Sequence, residues 1–302
     1  GAVLAWLFAL FAVIASFGIG NMTQGNSISG ALHTTFHVPP HLTGIVITVL
    51  ALLIIVGGIK SISKVSSVVV PLMAIFYVIC GVIVIIGNIS NLPAGILMIF
   101  QMAFSVKAVG GGLCGTIVAS MMNAMRYGVA RGVFSNEAGM GSTPHAHAQA
   151  KVKCPHEQGV VAMIGVFIDT FVVLTMTALV VISTLYTGDG ILSGVMTSSE
   201  NLDALGVAKT NLAQLAFGSV FGESFGSAFV AICLLFFAFT TIIGWNLFGR
   251  INIEYLFGKK AVLPYSIIAI AFIFLGSILS NDLVWELTDM FNQLMVLPNM
   301  IA

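Results

Sequence analysis

The stretch from Arg131 to Ala148 concentrates side chains that could do chemistry in a chain that otherwise offers few of them. It reads RGVFSNEAGMGSTPHAHA and combines serine, asparagine and glutamate with three glycines and two histidines. A hydroxyl near a carboxylate and imidazoles is typical of a hydrolase, paired imidazoles can bind a metal ion, and clustered glycines let a chain bend. The stretch is therefore a candidate catalytic loop, metal site or hinge.

The spacing within this stretch argues against catalysis and metal binding. Ser135 and Glu137 stand in neither a GxSxG elbow nor an HExxH motif, so a hydrolase would need partners converging from other segments. His145 and His147 alternate, but their spacing to the next cysteine and histidine matches no zinc pattern well. We expect a hinge.

The composition indicates a membrane protein. Of 302 residues, 58% are hydrophobic and 7% are charged, whereas about 25% are charged in typical soluble domains. Apolar runs such as 68–87 are long enough for a helix to cross a ~30 Å hydrocarbon core. The zero net charge gives no support for a nucleic-acid partner. The four scattered cysteines form no CxxC pair and indicate neither a disulfide framework nor a zinc knuckle.

Hydropathy predicts an all-α polytopic protein, and the basic residues predict its orientation. The eight predicted spans are 2–29, 42–58, 68–87, 94–128, 159–186, 225–257, 262–280 and 283–302. Basic residues cluster in or near the second, fourth and sixth loops, which the positive-inside rule places in the cytoplasm. The chain starts and stops within apolar runs, so we expect a single transmembrane domain over 1–302 that is a fragment of a longer protein.

The fourth span is predicted to be a broken helix. At ~1.5 Å per residue, Leu92 to Gly128 is too long for one straight crossing. Gly110, Gly111 and Gly112 lie in its middle, and each interior glycine costs about 1 kcal/mol of helix stability relative to alanine. Unwound backbone is tolerated in a membrane where it faces a cavity, and there it can bind a zwitterion or a cation. Close helix packing through small residues is the alternative.

Polar side chains interrupt two other spans. Thr240 and Thr241 lie near the middle of the sixth span, and Trp245 follows Thr241 by four residues on the same helical face. Their hydroxyls either offer oxygen to a small hard cation or bond back to a carbonyl four residues earlier. Asn21 and Gln24, at i and i+3 in the first span, either line a ligand site or join helices.

The fifth span holds an isolated acid, Asp169. It has no basic residue within a turn or two. Acids inside membrane spans are candidates for proton or ion relays. We expect a polar contact with another helix, and a relay is the alternative.

The segment GVARGVFSNEAGMGSTPHAHA resembles the signature of the alanine/glycine:cation symporters, also called sodium:alanine symporters. Further segments resemble the same family in the same order, and the likeness covers nearly the whole chain. They are FGIGNMTQGNS (17–27), GGIKSISKVSSVVVP (57–71), AFSVKAVGGGLCG (103–115), DTFVVLTMTA (169–178), TTIIGWNLFGRINIEYLFG (240–258) and NQLMVLPNMIA (292–302).

The resemblance implies a fold and a set of roles. The fold is a LeuT-type inverted-repeat transporter bundle, here incomplete, with the eight spans as the family's third to tenth helices. The implied substrate-binding residues are Gln24, Gly110, Gly111, Gly112 and Trp245, the implied Na⁺ ligands are Thr240 and Thr241, and the implied gate or hinge comprises Ser135, Asn136, Glu137, Gly139 and Gly141. The missing start would hold the first broken helix and part of both sites.

The resemblance also implies the function. It is sodium-coupled symport of a small neutral amino acid, alanine or glycine, by alternating access across the plasma membrane of a prokaryotic cell. The implied partners are the amino acid, Na⁺ as coupling ion and the lipid bilayer, with no cofactor, no other metal and no catalysis. The near alternative is a LeuT-type carrier of another small solute, or one driven by H⁺ in which Asp169 matters more. The distant alternative is an intramembrane enzyme using Glu137, His145 or His147.

Overall fold

The computed structural model describes residues 1–56, 58–104, 114–193, 207 and 211–302. The regular structure within these residues is entirely helical, in agreement with the predicted all-α class. The helices are α1 (Ala2–Phe36), α2 (Pro40–Val56), α3 (Gly58–Gly87), α4 (Leu92–Phe104), α5 (Cys114–Asn136), α6 (Pro144–His147), α7 (Pro155–Tyr186), α8 (Leu212–Phe221), α9 (Glu223–Phe257), α10 (Val262–Ile278) and α11 (Asn281–Ile301).

Several helices are long and apolar enough to cross a membrane, as expected for a polytopic protein. Among the described residues there are five, namely Ala2–Phe36, Lys64–Gly87, Pro155–Tyr186, Glu223–Phe257 and Lys259–Ile278. The prediction of eight spans is not confirmed by this criterion. The predicted second loop is also wrong in part, because residues 58–67 are helical and continue into the third span. No proline interrupts α3 before Pro71, so nothing in this stretch ends the helix.

The predicted break in the fourth span falls on residues that the structure does not describe. Helix α4 ends at Phe104 and α5 begins at Cys114, and Gly110, Gly111 and Gly112 lie outside the described residues. The broken helix therefore stays a prediction.

The chain divides into two compact units. Unit 1 comprises Gly1–Tyr77, Gly139–Lys151 and Ser224–Ala302, and unit 2 comprises Val78–Ala138 and Val152–Glu223. In unit 1, four helices share an apolar core, to which α1, α2, α9 and α10 each contribute. Its buried members are Ile28, Ile47, Ala51, Ile55, Ala238, Ile242 and Ile273.

Small residues let α1 and α10 approach closely in unit 1. A Cβ on Gly276 would overlap the backbone of Met22, and a Cβ on Gly25 would lie 2.6 Å from the Ile273 carbonyl oxygen. The Asn26 side chain of α1 then donates to the carbonyls of Gly276 and Leu279 at 3.0 and 2.8 Å, and so satisfies acceptors at the end of α10. Such close backbone packing is typical of membrane helices.

A π-helical turn, Ser16–Met22, lies within α1 where it packs against α10 and α11. Two hydroxyl pairs flank it: Ser16 Oγ lies 2.9 Å from the Tyr265 hydroxyl, and Thr23 Oγ1 lies 2.6 Å from Thr288 Oγ1. All four residues are buried. Because π-helical turns are rare and often occur at functional sites, this part of α1 is where a site is expected.

Unit 2 is built around α7. The sulfur of Met176 fills the space that a Cβ on Gly81 would occupy, so α3 and α7 pack closely. Asn91 Nδ2 donates to the Ser183 carbonyl at 3.2 Å, near the end of α7. Much of the other surface of α7 is apolar and exposed, including Met163 and Phe171 at 65% each. Exposed apolar surface of this extent fits a helix that faces lipid.

Candidate functional site

The antiparallel pair α1 and α9 carries most of the described residues that were predicted to bind ligands. Trp245 of α9 is 2% exposed and lies directly against Gly20 of α1, where a Cβ would overlap the Trp245 side chain. The indole also makes an edge contact with Phe248, with ring centroids 5.4 Å apart. A residue at position 20 with no side chain thus allows the Cβ and Cγ atoms of Trp245 to lie directly against the π-helical turn.

An amide pair follows this contact by one residue on each helix. Asn246 Nδ2 donates to Asn21 Oδ1 at 2.7 Å and to the Ile242 carbonyl at 2.8 Å. Asn21 is fully buried and Asn246 is 2% exposed. Within the described part of the chain, Asn21 Nδ2 and Asn246 Oδ1 have no hydrogen-bond partner. A buried donor and a buried acceptor without protein partners call for water or a ligand.

The threonine pair makes the local hydrogen bonds that the sequence left open as one alternative. The hydroxyls of Thr240 and Thr241 both donate to the Phe237 carbonyl, at 2.9 and 3.0 Å. A hydroxyl whose proton is committed to the backbone presents its lone pairs on the other side. The local bond is therefore compatible with coordination of a cation, because a cation ligand must direct its lone pairs toward the ion.

The alignment of α1 along α9 predicts where Gln24 lies relative to Thr240 and Thr241. The two helices run antiparallel, since Gly20 meets Trp245 while Ile28, further along α1, shares a core with Ala238 and Ile242. Gln24 is four residues after Gly20, and Thr241 is four residues before Trp245, so we expect both to lie about one turn further along the same helix pair. Gln24 is half-buried, and its Nε2 donates to the Ile19 carbonyl at 3.2 Å.

The predicted hinge residues occupy a sharp change of backbone direction. Helix α5 ends at Asn136, whose Oδ1 accepts from the Ala138 N–H at 3.0 Å. Glu137, Gly139 and Gly141 all have positive φ, at 55°, 79° and 86°. A non-glycine residue with positive φ is uncommon, so the chain is firmly turned here. This geometry fits a hinge, while the gating role stays a prediction.

Two polar contacts join the end of α5 to α7 in unit 2. Ser135 Oγ donates to Asp169 Oδ2 at 3.0 Å, and Asn136 Nδ2 lies 3.5 Å from Thr170 Oγ1. Asp169 belongs to a second π-helical turn, Ile168–Leu174. The acid therefore makes the interhelical contact that the sequence favoured. Because the Ser135 proton points at a carboxylate and not at an imidazole, this pair does not form the nucleophile–base arrangement of a serine hydrolase.

His145 is held by hydrogen bonds within unit 1. Its Nδ1 lies 2.9 Å from the Ser142 carbonyl and its Nε2 lies 3.1 Å from Asn252 Nδ2. In the part of the chain that the structure describes, no three histidine, cysteine or acidic side chains lie together as a metal site requires. His145 therefore acts in packing and hydrogen bonding.

Sequence reasoning missed two residues of these sites: Asn246 and Asn252. The signal was present as polar and small residues in otherwise apolar helices, since Asn246 and Asn252 interrupt the run IIGWNLFGRIN. What the sequence lacked was the rotation of each helix, which decides whether such a residue faces a partner or lipid.

Comparison with known proteins identifies relatives along the whole chain. A family model described as the sodium:alanine symporter family matches residues 1–302. An uncharacterized transporter of Haemophilus influenzae is 42% identical over 99% of this chain. The sodium/alanine symporter AgcS of Methanococcus maripaludis is 39% identical over 100% of it, and the amino-acid carrier protein AlsT of Bacillus subtilis is 37% identical over 98%.

The chain spans about three-fifths of the length of these relatives. It covers 62% of the Haemophilus and Methanococcus proteins and 59% of the Bacillus protein. The relatives come from bacteria and archaea, and their names describe transporters and not enzymes. Together with the apolar helices, the match describes a multi-pass membrane protein.

Proposed function

The chain belongs to the sodium:alanine symporter family, and on this premise we propose that it forms part of a carrier that couples entry of a small neutral amino acid to Na⁺. We further propose that the carrier has a LeuT-type inverted-repeat bundle, in which the helices of this chain correspond to the third to tenth. The proposal for activity, substrate and partners concerns the whole protein.

The observation that carries this proposal is the seam between α1 and α9. The hydroxyls of two half-buried residues, Thr240 and Thr241, lie about one turn from a buried indole, Trp245. Gln24 is expected at the level of the threonines on the opposite helix. Hard oxygen ligands suit Na⁺, and an indole with a nearby amide leaves room for a small side chain only. From the resemblance to the family, glycines 110–112, which lie outside the described residues, would supply backbone groups for the amino acid.

The energetics favour this coupling. One positive charge crossing ~100 mV supplies about 2.3 kcal/mol, which supports a roughly 50-fold substrate gradient at ~1.4 kcal/mol per decade. Na⁺ bound at Thr240 and Thr241 would stabilise the closed site around the amino acid, and the amino acid would by reciprocity raise the affinity for Na⁺. The hinge from Ser135 to Gly141 would let the helices beyond it change position.

The test is uptake of radiolabelled alanine and glycine by the full-length protein in proteoliposomes. We expect uptake with an inward Na⁺ gradient and loss of uptake when the gradient is collapsed or replaced by K⁺. Uptake that follows a proton gradient without Na⁺ would support the H⁺-driven alternative. Transport of neither amino acid under any gradient would contradict the proposal, and a different solute would then have to be sought.

A further inference from the structure

The segment Gly139–Lys151, here called the docking segment, belongs to unit 1 although the helices on both sides of it, α5 and α7, belong to unit 2. We propose that His145 is a positioning residue that holds the docking segment on α1 and α9 through its neutral imidazole, and that protonation releases it. The relevance of this release to transport rests on the proposed carrier function, whereas the labelling experiment that tests the release does not depend on transport.

The hydrogen bonds of His145 assign its protonation state. A backbone carbonyl can only accept, so Nδ1, 2.9 Å from the Ser142 carbonyl, carries the proton. Nε2 must then accept from Asn252 Nδ2 at 3.1 Å. The same Asn252 Nδ2 donates to the Phe248 carbonyl at 2.9 Å, which fixes the amide orientation because a reversed amide would set oxygen against oxygen.

The ring also provides the apolar part of the docking. It stacks on Phe8 of α1, with centroids 5.9 Å apart and planes 8° from parallel, and it contacts Phe248 of α9 at 6.0 Å. Asn252 is 4% exposed, and His145 is half-buried. A single side chain thus connects the docking segment to two helices of unit 1.

The burial and contacts of neighbouring residues also depend on the docked position of the segment. Met140 is fully buried and Ser142 is 1% exposed. A Cβ on Gly141 would come within 2.8 Å of Phe8 and 2.9 Å of Asn299, and Asn299 donates to the Gly139 carbonyl at 2.8 Å. Ser142 is therefore a position at which a probe would report release of the segment.

Protonation of His145 is incompatible with this arrangement. A proton on Nε2 would face the Asn252 NH₂ group, and two donors cannot bond to each other. Acidification of the cytoplasm should therefore weaken docking.

The charged and titratable groups near His145 are few. Helix α1 carries no titratable side chain before His33, and α11 carries none after Asp289. Tyr255 lines the same 410 Å³ cavity as His145 and Asn252. The other titratable groups are Glu223, Cys233, Arg250 and Glu254 on α9, and His147 and Lys151 in the docking segment.

The experiment measures access to position 142 in the full-length protein. The native cysteines are replaced by serine, Ser142→Cys is introduced, and a membrane-impermeant maleimide is applied to the cytoplasmic face of inside-out vesicles. His145→Phe keeps an aromatic ring but removes both hydrogen bonds, so we expect its labelling rate at pH 7.5 to rise at least fivefold. The exposed His156→Phe is the matched control, with the rate unchanged.

The pH profile separates a hydrogen-bonding role from a purely packing role. The labelling rate of the protein with His145 is divided by the labelling rate of the His145→Phe variant at the same pH. This ratio cancels the effect of thiol titration on the rate. This ratio should be low at pH 8 and approach one by pH 5.5. A ratio that does not change with pH, or equal labelling rates in the two proteins at every pH, would overturn the proposal. This measurement requires no substitution of Asn252.

A second variant should reverse the direction of the pH dependence of labelling. In Asn252→Asp a carboxylate replaces the amide, gives up the bond to the Phe248 carbonyl and accepts a hydrogen bond from the protonated imidazole, so labelling should be slower at pH 5.5 than at pH 8 after the same normalisation. Retention of the original direction would contradict the role of Asn252. Because labelling requires no transport, a failed uptake assay with this labelling pattern would remove the carrier function and leave the docking mechanism.

Discussion

Gly20 and Trp245, on two helices far apart in the chain, are packed so closely that no side chain fits between them. The next residue on each helix, Asn21 and Asn246, forms a hydrogen bond of 2.7 Å. One small residue and one amide pair therefore set both the distance and the register of α1 on α9. The proposed substrate and cation site depends on that register.

Gly20→Ala should disrupt the site. The added methyl overlaps Trp245, so the helices must separate or the indole must move, and we expect the KM for alanine to rise at least tenfold. Gly30→Ala in the same helix is the matched control, because nothing lies within 4 Å of its Cβ and alanine gains up to about 1 kcal/mol of helix stability. Normal alanine kinetics in Gly20→Ala would show that Trp245 is not part of the pocket.

Thr241→Ala should raise the Na⁺ concentration for half-maximal uptake by about tenfold, which corresponds to ~1.4 kcal/mol of lost cation binding. Thr241→Ser, which keeps the hydroxyl, should restore the affinity. Thr34→Ala removes the same kind of bond, from Thr34 Oγ1 to the Gly30 carbonyl at 2.9 Å, at an exposed position and should leave the sodium dependence unchanged. Equal sodium dependence of uptake in Thr241→Ala, Thr241→Ser and Thr34→Ala would exclude a cation site at Thr241.

Asn246→Ala should lower the free energy of unfolding by about 1–3 kcal/mol, because it leaves Asn21 Oδ1 buried without a donor. Asn21→Ala should have a similar effect, and the double variant should cost less than the sum of the two. Thermal unfolding in detergent measures these differences. Strict additivity would indicate that the two amides do not interact in solution.

Gly141→Ala and Gly139→Ala should differ, although both glycines have positive φ. Alanine at position 139 meets open space and incurs a conformational cost of about 1–2 kcal/mol. Alanine at position 141 incurs that cost and also contacts Phe8 and Asn299, so we expect the larger loss of thermal stability there. Equal losses would mean that the docking segment does not pack as described.

Asp169→Asn tests the proton-driven alternative. The amide oxygen can still accept from Ser135, so the contact between α5 and α7 is kept while the ionisable group is lost. For a sodium-driven carrier we expect Na⁺-dependent uptake within about twofold of the unmodified protein. Loss of uptake, together with loss of any proton dependence, would favour a relay at Asp169.

Several features were predictable because they depend on local sequence. Long apolar runs form membrane-spanning helices wherever they occur, so the all-helical class followed from hydropathy. The turned backbone at Glu137, Gly139 and Gly141 followed from glycines placed directly after a helix, whereas their role as a hinge stays a prediction. The extent of α3 was less predictable, because two lysines suggested a loop where the backbone continues as helix.

The sequence by itself determined the membrane environment of this protein, its helical class and the family to which it is similar. These follow from hydrophobicity and motifs, which are properties of short stretches. The tertiary structure alone decided that Gly20 faces Trp245, that Asn21 faces Asn246 and that His145 faces Asn252. The two hydrogen-bonded pairs are separated by 225 and 107 residues. Whether such residues meet depends on the rotation and register of whole helices, which the packing of many side chains sets together.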